Sequence, residues 1–478
     1  MPEIGTVSLA VLILVPRFSI CTTPESAFIK GSCDDRDHTP VNSTDSAHQD
    51  TQVLLSMTDQ IVSLQNRPQS WGAVFAMSLA AFALVASEFM PVSLLTPIAA
   101  DLHITEGQAG QSISVSGLFA LLTCLCIAAV AARVERKRLL LSLTVLMIVS
   151  ATVVAFAPNY TVFMVGRALI GVAIGGFWSL SAATAMRLVP DDQVTRALAV
   201  VNGGNALATV IAAPLGSFLG ALIGWRGASF CIVPVAAIAA VWLLFNFPEM
   251  KTERRYASGN LFRLMKSAPV ALGMLAVSVF FMGQFMLFTY LRPFLESVTH
   301  VSASVLSLML FVLGATGLAG TFLIEGFLKK GMYRTLIAIP MLMAVIALAL
   351  IGFGNSVITA TVLLGFWGLV ATAAPVGWWL WLAKTLPNDT EAGGALMVAI
   401  VQLAIGSGAT IGGLAFDLSG YRATFELSAA VLVVAAVFAY LAGRASSRKL
   451  AATGDAPACG TQEHPRQHQS ALGNRLSQ

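Results

Sequence analysis

Long apolar stretches separated by short polar turns recur from Trp71 to Leu441. A helix needs roughly 20 apolar residues to cross ~30 Å of hydrocarbon, and twelve stretches meet that length. The pattern predicts helical spans near 72–97, 109–132, 138–157, 161–188, 195–221, 227–247, 269–292, 302–327, 333–353, 357–383, 392–418 and 423–443. These are continuous apolar runs, not ~10-residue alternating ones, which excludes a closed β-barrel. Residues 1–70 break the pattern. Val7–Val15 is apolar but too short to span, and only Glu3 precedes it, without a basic residue, so it is a poor signal peptide. The leader reads as a disordered cytoplasmic extension, or as an over-long start with Met57 as the first residue. The polar tail 444–478 reads as disordered.

The spans fall into two similar sets. Phe89, Met90, Leu95 and Pro97 recur 196 residues later as Phe285, Met286, Leu291 and Pro293. Gly216, Leu222, Gly224 and Arg226 recur as Gly412, Leu418, Gly420 and Arg422, and Arg133 and Arg138 as Lys329 and Arg334. With one residue inserted, Arg187, Pro190 and Asp192 correspond to Lys384, Pro387 and Asp389. Six spans per unit is an even number, so both units insert the same way round, as in a parallel repeat of two six-helix halves. The expected organisation is a half over 71–247, a cytoplasmic loop over 248–266 and a half over 267–443. In such folds substrate binds near the midplane between the halves, which rock to alternate access.

Charge orients the chain. Arg133, Arg136, Lys137, Arg138, Arg187, Arg196, Lys251, Arg254, Arg255, Lys329, Lys330, Arg334 and Lys384 fall in one set of loops; the opposite loops hold Arg226 and Arg422, with Arg292 at a helix end. By the bias of Lys and Arg toward the cytoplasm, both termini are expected there. The chain is 56% apolar and only 11% charged, with a net charge of +4, against about 25% charged residues in soluble domains. Nucleic acid is therefore not an expected partner, whereas the lipid bilayer is. The six cysteines are scattered and form no metal or disulfide framework. In the spanning region His occurs only as His103 and His300, both in loops, and no HExxH, GxSxG or P-loop motif is present. Neither an enzyme, a metal site nor a bound cofactor is expected.

Glu88, in Ser87-Glu88-Phe89-Met90-Pro91, lies inside the first span. A carboxylate at membrane depth costs several kcal/mol, so it should face protein or a watery cavity. Its repeat partner is Gln284, a neutral hydrogen-bonder. One half thus keeps a titratable group where the other does not, which suggests that protons drive the cycle. Arg167, in the fourth span, is a second intramembrane charge.

These residues resemble the major facilitator superfamily, drug:proton antiporter branch. Ala128 to Lys137 is similar to Gly-x-x-x-Asp-Arg-x-Gly-Arg-Lys: Arg133, Arg136 and Lys137 match, while Ala132 replaces the Asp and Glu135 the second Gly. The resemblance implies that Arg133, Glu135, Arg136 and Lys137 gate the transporter, with Glu135 standing in for the missing carboxylate. Arg167 to Gly171 fits the branch's Arg-x-x-x-Gly pattern, which implies that Arg167 assists proton transfer at Glu88. Ala213-Pro214 with Gly216 and Gly220 resembles a degraded antiporter motif. Within the branch, Glu88 to Pro97, Gly175-Gly176-Phe177-Trp178, Gly283-Gln284-Phe285 and Pro375-Val376-Gly377-Trp378 resemble bacterial purine ribonucleoside exporters.

That resemblance implies proton-coupled efflux of purine ribonucleosides such as inosine and guanosine across a bacterial inner membrane, by a monomer powered by the proton gradient; sugar or multidrug efflux is the alternative. A nucleoside needs a flat stacking surface and a few hydrogen-bonders. Trp178, Trp378, Phe288 and Tyr290 are candidate stackers, and Gln284, Asn202, Asn205 and Gln402 candidate hydrogen-bonders. Asn202 and Asn205 fit helix packing equally well. Trp379 is a further stacker, and Trp381, near a cytoplasmic end, is expected to anchor at the interface.

Overall fold

Three short breaks near proline and three glycine breaks decide how the apolar runs become helices. The computed structural model describes residues 70–131, 133–248, 250, 261–387 and 389–452. The expectations for the leader, most of the loop between the halves and the far tail lie outside the described residues. Among the described residues the elements are helices α1 (Trp71–Ser93), α2 (Leu95–Leu102), α3 (Glu106–Ala131), α4 (Arg136–Ala155), α5 (Tyr160–Leu188), α6 (Val194–Phe230) and α7 (Ile232–Asn246). The second set is α8 (Ala268–Phe288), α9 (Leu291–Ser297), α10 (Ala303–Phe353), α11 (Val357–Ala371), α12 (Ala374–Thr385) and α13 (Thr390–Ala452).

Nine apolar helical stretches among the described residues are long enough to cross a membrane. Val194–Asn246, Ala303–Phe353 and Ala392–Arg448 are 53, 51 and 57 residues long, about twice the length of one crossing. Each is broken at a glycine with non-helical backbone: Gly224, Gly331 or Gly420. Each therefore supplies two crossings, and the fold is the expected all-α architecture of twelve transmembrane helices in two parallel-repeat halves. Gly224 (φ 74°, ψ 164°) and Gly420 (φ 76°, ψ −172°) occupy a region closed to residues with a Cβ. They are repeat partners, so one glycine device reverses the chain in both halves.

The remaining breaks lie near proline, and the one between α8 and α9 at Thr289–Tyr290 precedes Pro293. Pro91 has no N–H for the Ser87 carbonyl, and the first span divides into α1 and α2 at Leu94. Pro375 likewise offers no N–H to the carbonyl of Ala371, and the span expected over 357–383 divides at Thr372–Ala373.

Each half has its own apolar core. One runs from Ala73 through Leu143 and Ile174 to Phe247, the other from Val270 through Met343 and Trp367 to Ala439. A smaller cluster, Val92, Ile113, Phe285, Ile405 and Ala409, joins them. Large apolar side chains also cover the outside; Leu418 is 82% exposed and Phe245 79%. An apolar interior inside an apolar exterior suits hydrocarbon as the surrounding solvent. Trp381 departs from expectation: it is fully buried in the second half, in space left by the absent side chain of Gly273, so it is a core residue and not an interface anchor.

Candidate functional site

The site begins with the proline. Because Pro91 leaves the Ser87 carbonyl without a helical donor, another group must fill it. Arg167 does so: its Nη1 donates to Ser87 O at 2.9 Å. Nη2 donates to the backbone carbonyl of Glu88 at 3.3 Å and to Ser116 Oγ at 3.2 Å, and Nε to Ser112 O at 3.3 Å. The guanidinium is 1% exposed, and this ring of acceptors lets a buried cation exist. Close packing of α5 on α3 sets its position. Gly171 and Gly175 lie so near the Ser116 and Ala120 carbonyls that a methyl group at either would collide. A cavity of about 10 Å³ beside Arg167, bordered by Ser87, Pro91 and Ala151, has room for about one water.

Glu88 is also buried. Its side chain meets that of Gln402 of α13, from the other half. Beside it, Phe89 stacks on Phe285 at 5.9 Å and meets Phe288 edge-on at 6.4 Å. Phe89 and Phe285 are repeat partners, so the pseudo-two-fold axis passes between these rings. Glu88 and Gln284 therefore flank that axis. Gln284 Oε1 is buried and has no hydrogen-bond partner. An orphaned amide oxygen next to the interface is an open acceptor for a ligand donor.

The other sequence-derived residues divide. Phe288 and Gln402 join the cluster around Glu88. Trp178 is half-buried and edge-on to Phe177 at 5.8 Å, within the first half's core region. Trp378 is buried edge-on to Trp381 at 5.8 Å. Asn202 is exposed and donates to Leu198 O of its own helix at 2.9 Å; Asn205 is partly exposed. Tyr290 is fully buried, with its hydroxyl donating to Ala409 O at 2.8 Å and its ring stacked on Phe416 at 5.3 Å. Gly110 and Gly413 make room for that hydroxyl.

Comparison with known proteins agrees with this architecture. Residues 77–406 match the Major Facilitator Superfamily. This chain belongs to the Major Facilitator Superfamily. A Pseudomonas aeruginosa protein named transcription regulatory protein OpdE is 58% identical over 382 residues, covering 79% of this chain and 95% of that one. The purine ribonucleoside efflux pump NepI of Salmonella paratyphi B is 38% identical over 368 residues, covering 77% of this chain and 93% of the pump. Among solved structures, a bacterial homologue of the human lysosomal transporter Spinster, inward-facing and occupied, superposes with a TM-score of 0.65 at 15% identity. It covers 80% of this chain and 98% of that one. A D-xylose–proton symporter gives 0.62 at 16%, covering 78% and 96%. The superfamily is one of membrane transporters, and the chain is a membrane-spanning member of it.

The superfamily's loop motif is rearranged here. Arg136 is buried and reaches Thr184 Oγ1 at 3.4 Å, whereas Arg133 is exposed. Glu135 pairs with Arg138, 3.2 Å away and within the same turn. It engages a neighbour in sequence, and Lys137 is partly exposed beside it.

At the opposite end, residues that sequence reasoning missed join the halves. Asp417 of α13 accepts from the Thr105 hydroxyl at 2.7 Å and from the Gly107 N–H at 3.0 Å, at the N-terminus of α3 where a carboxylate is favoured. Ser114 donates to Gly406 O and accepts from Thr410 Oγ1, both at 2.7 Å. Arg292, paired with Glu296 at 2.8 Å, reaches across to the Ser93 carbonyl. Within the first half, Asp101 accepts from Trp225 Nε1 at 3.1 Å and pairs with Arg226, whose hydrogen bond holds the Asp101 carboxyl below the usual carboxylate range. The signal for Asp101 was its repeat position, since its counterpart is the neutral Ser297. For Asp417 the sequence carried none, because its partners come from the other half.

Proposed function

We propose that this transporter exports purine ribonucleosides, such as inosine and guanosine, in exchange for protons across the bacterial inner membrane, as a monomer with both termini in the cytoplasm. One observation carries the reading: a buried carboxylate, Glu88, that meets Gln402 across the interface beside the unpartnered Oε1 of Gln284. An ionised carboxylate only accepts hydrogen bonds; once protonated it also donates one. Ionised Glu88 can accept from a ribose hydroxyl or a base N–H. A proton arriving from the outer side competes for the same oxygen and releases the ligand. Mutually exclusive occupancy of one carboxylate by proton and ligand is enough to couple their opposite movements when the halves rock. Arg167 holds the backbone of Glu88 by donating to its carbonyl. Phe89, Phe285 and Phe288 offer rings on which a base could stack. The purine name of the 38% identical relative supports the substrate class, and sugar or multidrug efflux remains the runner-up.

The test is uptake into inverted vesicles under an imposed proton gradient, offering radiolabelled inosine, guanosine, arabinose and a cationic dye. Accumulation of inosine and guanosine is the expected result; accumulation of arabinose or dye alone would transfer the assignment to the runner-up. The regulatory name of the 58% identical relative favours a second reading, a non-transporting sensor. A sensor would bind inosine and accumulate none.

A further inference from the structure

At the arginine-rich end of the bundle, the second half has a pocket. It is open, about 620 Å³, and lies between α10 just after its break at Gly331 and the last turns of α13. Tyr333, Arg334, Ile337, Tyr440, Arg444 and Arg448 line it. The Arg444 guanidinium lies 4.9 Å from the centre of the Tyr440 ring. Gly443 allows α13 to approach the Tyr333 ring, leaving the two tyrosines beside the arginines. Among the described residues no carboxylate pairs with Arg334, Arg444 or Arg448.

The repeat explains how this charge came to be free. Arg334 is the counterpart of Arg138, which is neutralised by Glu135. The counterpart of Glu135 is Gly331, so the same arginine is left without its acid. Arg444 and Arg448 correspond to Pro248 and Thr252, so the first half carries no cation at either place. Below the arginines both helices continue as apolar ridges. Arg334, Ile337, Met341 and Val345 follow at helical spacing on α10, with Met341 and Val345 exposed. Arg448, Arg444, Tyr440, Val437 and Val433 do the same on α13, the last three exposed. A ligand here would meet three cations and two aromatic rings at one end and exposed hydrocarbon along its length.

We infer that this pocket binds an anionic phospholipid, its phosphate against Arg334, Arg444 and Arg448 and its acyl chains along the α10 and α13 ridges. Guanidinium groups match phosphate geometry, often bidentately, and tyrosines sit well at headgroup depth. Basic pockets between membrane helices suit headgroups carrying one or more phosphates. A free phosphate would satisfy the arginines but leave bare the apolar ridges that a lipid's acyl chains cover.

The test uses the full chain, purified and delipidated, with binding followed by native mass spectrometry and by melting temperature. The probes are phosphatidylglycerol, cardiolipin, phosphatidylcholine and inorganic phosphate. Phosphatidylglycerol or cardiolipin should bind and raise the melting temperature, and phosphatidylcholine and phosphate should not. One arginine near an anionic surface is worth about 1 kcal/mol, so each of Arg334→Gln, Arg444→Gln and Arg448→Gln should weaken binding roughly fivefold, and the triple variant on the order of a hundredfold. Arg138→Gln, an exposed arginine on the same end of the first half, should change nothing. Equal binding of inorganic phosphate would replace the lipid with a free-anion site. Equal weakening by Arg138→Gln would reduce the pocket to general surface charge, and lipid binding undiminished in the single variants would overturn the proposal even if the triple variant failed to fold.

Discussion

Ser87 and Gly283 hold the same place in the repeat, and their carbonyls are satisfied by different groups. Ser87 O accepts from buried Arg167 at 2.9 Å, whereas Gly283 O accepts from the Ser428 hydroxyl at 2.7 Å. The cause lies in three exchanges. Pro91 deprives Ser87 O of its helical donor, while its counterpart Leu287 keeps the N–H. Gly171 and Gly368 pack on equivalent carbonyls, Ser116 O and Leu313 O, which makes buried Leu364 the counterpart of Arg167. Ser116, a hydroxyl partner of Arg167, is replaced by Leu313. The backbone plan is common to both halves, but the ionisable pair and the groups that hold it were built into only one. A duplicated scaffold can thus give one half a titratable carboxylate and the other a neutral amide at the same distance from the axis.

If that asymmetry drives transport, Glu88→Gln is the most damaging change. It makes the first half resemble the second at this position. Gradient-driven accumulation in inverted vesicles should be abolished, while inosine exchange across the same vesicles persists. Accumulation equal to wild type would end the coupling assignment. Arg167→Ala comes next. It removes the donor to Ser87 O and to the Glu88 carbonyl, so the pH profile of transport should shift at matched expression. A change in yield with an unmoved profile would make Arg167 purely structural.

Where the halves agree, they should respond alike. Gly224→Ala and Gly420→Ala each force a side chain into a backbone region reserved for glycine, at about 1–3 kcal/mol. The two variants should lower the melting temperature in detergent by similar amounts; a clear difference would break the equivalence of the two turns. Gln284→Ala tests the amide side of the asymmetry. Apparent inosine affinity should fall by about 0.5–1.5 kcal/mol, with coupling to the gradient kept. A lower protein yield at unchanged affinity would show that Gln284 only packs helices.

The smallest effect is expected at Asp101, whose counterpart Ser297 makes no such pair. Its carboxyl, held below the usual range by Arg226, stabilises the fold at every pH above the ordinary carboxylate value. That contribution is lost only as pH falls through the lowered folded value. Asp101→Asn should therefore reduce the melting temperature slightly and equally from pH 5 to 8. The gap from wild type should close only below about pH 4. A gap that opened or closed near pH 6 would assign it to another group.

The twelve crossings, the duplication and the presence of charges at Glu88 and Arg167 were legible in the chain, because hydrocarbon imposes length and apolarity on each segment separately. The glycines at 224 and 420 and the proline at 91 were visible, although their consequence, a reversal in one case and a freed carbonyl in the other, required the backbone. Only the tertiary structure decided that Arg167 grips carbonyls of α1, that Glu88 meets Gln402, that Trp381 lies in a core opened by Gly273, and that Asp417 closes on Thr105. These contacts join segments up to 314 residues apart, between Glu88 and Gln402. Local periodicity records which face of a helix is apolar; which neighbour fills a given orphaned polar group depends on how the helices pack, and that is settled by side-chain volume and hydrogen-bond geometry acting across the whole bundle.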